Sequence, residues 1–170
     1  MNKEEFKGIK ICNLILEELN SEGNKCSIAQ LAKDIKHGES SLRKLLHDNN
    51  STQTKLLFDI SIVRRFDHFS YFSEILSGFS IEVPEIIMMN DETQICKLVH
   101  KILELRKGKR SVARLASEVY NNNRNSLNRL LKEDKNSIDT DVLFRISIAL
   151  KFDFFSCFSK ILSKYSPRKI

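Results

Sequence analysis

The side chains of this chain that can do chemistry are hydrogen-bond donors and cations rather than nucleophiles. Arg124, Asn125, Ser126, Asn128 and Arg129 fall within six residues, with Asn123 before them and Lys132 after. An arginine fork can donate two parallel bonds to the O6 and N7 of guanine, and an asparagine amide can do the same for adenine. Lys107, Lys109, Arg110 and Lys132 can neutralise phosphates without reading a sequence. A second, earlier set is Ser40, Ser41, Arg43 and Lys44.

Other chemistries find no support. The four cysteines, Cys12, Cys26, Cys96 and Cys157, form no CxxC pair; Cys12 and Cys96, equivalent in the two copies and set in helical stripes, read as small buried hydrophobes. His37, His47, His68 and His100 are scattered, with no carboxylate or thiol at ligand spacing. A Gly-rich phosphate loop and a nucleophile at motif spacing from a base are both lacking. The chain is therefore read as no enzyme, with no catalytic residue, no metal and no cofactor. Residues 1–10 carry no secretory apolar region and no apolar run is long enough to cross a bilayer, so a soluble cytoplasmic protein without a membrane partner is expected.

The elements that must position these residues are visible as a repeat. Leu57 to Leu76 reads LFDISIVRRFDHFSYFSEIL and Leu143 to Leu162 reads LFRISIALKFDFFSCFSKIL, with 13 of 20 positions identical at an offset of 86 residues. Unrelated segments would share roughly one or two, so the chain is a tandem duplication. Leu143, Ile146, Leu150, Phe154, Phe158, Ile161 and Leu162 draw an apolar stripe at helical spacing. It breaks once, where Asp153, like Asp67, is expected to cap a new helix. Phe66 before the cap and Tyr71 one turn in would form a hydrophobic staple. The set Phe144, Phe152, Phe154, Phe155 and Phe158 reads as core.

The chain in order predicts a first helix ending near Asn20, a second over Ile28 to Ile35 capped by Ser27, and a third over Glu39 to His47. The third should bury Leu42, Leu45 and Leu46, and the repeat's two helices follow it. Residues 6–78 form the first module. Residues 79–92 make a linker whose Ile81, Val83, Ile86, Ile87, Met88 and Met89 are too apolar to float in water. It is expected to pack on a module or between the two, and to offer a surface to a second copy or another protein.

Residues 93–166 form the second module. Its first helix turns Ile95, Cys96, Leu98, Val99, Ile102 and Leu103 inward, and Arg106 to Arg110 makes a basic loop. Ser111 caps Val112 to Val119, Asn121 to Asn123 form a turn, and a third helix covers about Arg124 to Lys132. Sustained period-two alternation is lacking, so no sheet is expected. The modules differ in charge: up to Gly78 there are 11 Lys+Arg against 11 Asp+Glu, whereas Thr93 to Ser166 carries 15 against 7. The basic second copy points to a polyanion.

In each copy a short helix with a Leu-Ala pair, Leu31-Ala32 or Leu115-Ala116, precedes a tight turn and a helix with an i, i+3, i+4 apolar set. That is the pattern of a helix-turn-helix. The segments Ser27 to Ala32, Ser111 to Ala116 and IDTDVLFRISIALKFDFFSCFS (Ile138 to Ser159) resemble the phage-repressor (Cro/repressor-like, XRE) family, once per copy over nearly the whole chain. The resemblance implies an all-α protein of two tandem five-helix bundles that binds double-stranded DNA in a sequence-specific way and regulates transcription.

It places Ser27 and Ser111 at phosphates. It turns Ser40, Ser41, Arg43 and Lys44 in copy one, and Arg124, Asn125, Ser126, Asn128 and Arg129 in copy two, toward base edges, with Arg114 and Asn123 beside them. Two departures stand out. Ile28 and Val112 occupy a position where many family members carry Gln, and Ala32 to Leu42 spans 10 residues where Ala116 to Leu127 spans 11. Glu39 would repel a phosphate at the start of copy one's third helix, so copy two is expected to be the main DNA contact. The 14-residue linker reaches at most about 46 Å extended, enough for half-sites about 34 Å apart. The rival expectation is a protein-interaction or antitoxin-like module that keeps the fold without reading DNA.

Overall fold

The computed structural model describes residues 11–21, 25–48, 52–79, 81, 95–105, 112–120 and 137–165. Among them every regular element is a helix, and an isolated bridge joins Gln53 to Asp139. The chain divides into two compact units, Met1–Thr52 and Gln53–Ile170. The boundary thus falls inside the first sequence copy. Of the segment 79–92 only Phe79 and Ile81 are described: Phe79 packs edge-on against Phe144 and Ile81 is half-buried, and the rest of the linker's expected packing lies outside the described residues.

The first unit holds α1 (Ile11–Asn20), α2 (Ile28–Asp34) and α3 (Glu39–His47). α1 buries Ile11, Cys12, Ile15 and Leu19 along one stripe, and both α1 and α2 pack on α3. Ser27 caps α2 as expected, its hydroxyl oxygen accepting from Gln30 N–H at 3.1 Å. α2 ends one residue earlier than the pattern predicts. Lys36 turns left-handed, with φ 55°, and His37 N–H reaches back to Ala32 O at 2.8 Å while Lys36 N–H bonds Lys33 O at 3.1 Å. These paired bonds satisfy carbonyls that the last turn leaves open. The glycine of the turn, Gly38, keeps an ordinary φ of −67°.

The second unit holds α4 (Thr54–Arg64), α5 (His68–Ser77), α6 (Ile95–Leu105), α7 (Val112–Tyr120), α8 (Thr140–Leu150) and α9 (Phe154–Leu162), ending in a 3₁₀ turn, Ser163–Tyr165. The Asp67 and Asp153 carboxylates cap α5 and α9, each accepting from two backbone N–H groups at 2.9 to 3.2 Å. Phe66 sets its ring 4.7 Å from that of His68. The six residues expected to face inward from α6 are all buried, as are all five phenylalanines of the second copy's set.

The α4–α5 and α8–α9 hairpins, one from each copy, pack on each other through aromatic rings. Phe69 stacks on Phe158 at 4.5 Å and Phe72 on Phe155 at 4.4 Å. Adding the repeat offset to Phe69 gives Phe155 and to Phe72 gives Phe158, so the two stacks are one contact made twice. Phe58–Phe158 and Phe72–Phe144 form a second such pair, both at 6.2 Å and 54°. The edge-on contacts Phe58–Tyr165 at 6.1 Å and Phe79–Phe144 at 6.4 Å form a third.

Phe69–Phe155, at 6.3 Å, and Gln53–Asp139 map onto themselves. Only a two-fold axis through those positions exchanges contacts in this manner, and it makes α5 and α9 antiparallel. Near the axis Thr54 N–H bonds Ile138 O at 2.8 Å and Lys55 N–H bonds Ser137 Oγ at 3.2 Å. The second copy thereby satisfies N–H groups that the first turn of α4 cannot.

Candidate nucleic-acid interface

In the first unit the candidate surface is the outer face of α3. Leu42 and Leu46 are buried and Leu45 is half-buried, which turns Ser40, Ser41, Arg43 and Lys44 to solvent. The turn fixed by left-handed Lys36 sets where α3 begins after α2. Ser27 is exposed at the head of α2. Its oxygen already accepts from Gln30 N–H, which leaves the hydroxyl proton available to an acceptor such as a phosphate oxygen.

Arg43 is paired along its own helix, Nη2 to Glu39 Oε1 at 2.8 Å, with both side chains about half exposed. Taken alone, Glu39 is a charge that repels phosphate. The i, i+4 spacing that makes the pair was already legible.

In the second copy α7 buries Leu115, Ala116 and Val119 and exposes Arg114. α7 packs on α8, where Arg145 Nη1 donates to Val119 O at 3.3 Å near the end of α7. Ser111, Lys107, Lys109, Arg110, Asn123, Arg124, Asn125, Ser126, Asn128, Arg129 and Lys132 lie outside the described residues. The first copy's expected set therefore shares one face within the first unit, and of the second copy's set only Arg114, in the second unit, is described.

Two buried groups escaped the sequence reading. His68, the first residue of α5, is fully buried against Ser61 of α4. Ser61 Oγ lies 2.8 Å from Leu57 O, to which it can donate, and 2.9 Å from His68 Nδ1, while His68 Nε2 has no partner among the described residues. Desolvation holds the His68 pKa down at about 3. The only available signal was the alignment of His68 with Phe154, a core position. Cys157, the equivalent of Tyr71, is buried, and desolvation raises its thiol to about 11, far from a reactive thiolate.

Compared with known proteins, the chain matches no family model, no curated protein and no solved structure.

Proposed function

We propose that the protein binds double-stranded DNA in a sequence-specific way and acts in the cytoplasm as a regulator of transcription, with two tandem helix-turn-helix modules in one chain. The observation that carries this reading is the α2–turn–α3 arrangement. Its Leu31, Ala32, Leu42 and Leu46 are buried, while Ser40, Ser41, Arg43 and Lys44 face solvent. A helix held in this way, polar and partly cationic outside, suits a major groove.

The modules are residues 6–78 and 93–166, joined by 79–92, and the second carries most of the affinity because its charge balance is 15 against 7. One chain contains both halves of a two-fold pairing, so one chain would do what two copies of a single-module protein do.

Fluorescence anisotropy with a labelled duplex tests the reading. Binding at low salt should weaken steeply with added salt, and each of Lys107, Lys109, Arg110 and Lys132 replaced by Ala should flatten the log–log slope by about 0.9. No anisotropy change at low salt would defeat it. The rival is a protein-interaction module, favoured by the neutral first copy, 11 against 11, and by the carboxylate of Glu39 on the outer face of α3.

A further inference from the structure

Glu39 stands at the first position of α3 and Arg43 one turn later, joined at 2.8 Å. An exposed ion pair on one helix contributes little to stability, so its consequence lies in what it presents. The carboxylate holds Nη2 through one of its protons and narrows the directions open to an otherwise mobile guanidinium. The remaining N–H groups of the fork stay free to donate, and the second carboxylate oxygen, Oε2, stays free to accept. Residues at the start of a reading helix are those that meet base edges.

In the major groove guanine offers the acceptors O6 and N7, and cytosine offers its N4 amino donor. Arginine and glutamate respectively match them. We propose that Glu39 and Arg43 act as one reading unit, the guanidinium recognising a guanine and the carboxylate an adjacent cytosine amino group. The inference rests on the DNA-binding reading and divides the labour between the copies. A carboxylate at this place repels phosphate, so copy one adds little affinity for arbitrary duplex and supplies discrimination. The +8 balance of copy two supplies attraction to any duplex, beside whatever its own third-helix residues read.

Selection of duplexes from a randomised library, with the full chain and its variants, tests this. The unaltered chain should enrich one guanine with a neighbouring cytosine. Glu39→Gln should lower the preference for that cytosine by about ten- to a hundredfold, while affinity for unselected duplex stays level or rises. Arg43→Lys keeps the charge, loses the fork and should lose the guanine preference. Both positions are exposed and tolerate these changes without loss of the fold. If Glu39→Gln enriches the same bases as the unaltered chain, the reading unit is wrong; if the unaltered chain retains no duplex, the DNA-binding reading fails instead.

Discussion

In the α8–α9 hairpin Phe154 occupies the place that His68 takes in α4–α5, and Asp139 faces Gln53 across the pseudo-dyad. The surface pair Lys55–Asp59, 3.6 Å apart, is matched by Asp141 and Arg145 with the signs exchanged. Phe58, Phe69 and Phe72 are matched by Phe144, Phe155 and Phe158 without change. A ring on the two-fold face touches its own equivalent or its neighbour's, so a change there is felt on both sides of the interface. Charges at the periphery carry no such constraint. The comparison teaches that the two hairpins are one pairing surface used against itself, with charges that differ at the periphery.

The largest effect should come from breaking the ring ladder. Phe69→Ala and Phe155→Ala each remove a fully buried ring and should each cost about 3–5 kcal/mol in urea unfolding. Because the two rings have equivalent surroundings, the losses should agree to within about 1 kcal/mol. The double variant should cost less than the sum, since the rings touch each other. Clearly unequal single losses would break the two-fold equivalence.

Next comes the exchange of His68 for the residue its equivalent carries. The folded-state pKa of about 3 lies below the ordinary value of about 6.5, so the unfolded chain takes up the proton first. Stability from a neutral His68 is complete above pH 6.5 and is lost as pH falls toward 3, at about 1.4 kcal/mol per pH unit. His68→Phe should remove that loss, leaving the variant roughly 3 kcal/mol ahead of the parent at pH 4.5 relative to their difference at pH 7.5. Parallel stability-against-pH curves would show that His68 titrates in the fold as it does in the unfolded chain.

A smaller effect is expected at the axis. Gln53→Asp sets a carboxylate directly opposite Asp139 and should destabilise by about 0.5–1 kcal/mol, partly recovered in high salt. No change in thermal midpoint would remove Gln53 and Asp139 from the pairing. Smallest are the left-handed residues Lys36, Arg65 and Lys151, with φ of 50° to 55°. Glycine adopts this conformation without strain, and each exchange to Gly should gain about 0.5–1 kcal/mol. Gains at Arg65 and Lys151, which are equivalent, should match.

Much of this fold was legible in the sequence. Ser27, Asp67 and Asp153 announced their helices because a short oxygen-bearing side chain before an apolar run has few other uses. The apolar stripes fixed which faces are buried. They could not say against what, since period 3.6 is the same whether Phe69 faces its own module or its repeat. The reciprocal stacks and a unit boundary at Thr52 therefore became visible only in three dimensions. Lys36 hid behind Gly38, the residue that composition marks for a turn. On the candidate interface, α3 and its exposed side chains followed from spacing, while the Glu39–Arg43 pair was masked by reading each charge separately.

The most direct test of the account compares the two copies on unselected duplex DNA by anisotropy at low salt. Replacing Arg124 and Arg129 together by Ala should weaken binding by about tenfold or more. Replacing Arg43 and Lys44 together should weaken it less than about threefold, because Glu39 already neutralises Arg43. Equal losses from the two pairs, or a larger loss from the first-copy pair, would contradict the account.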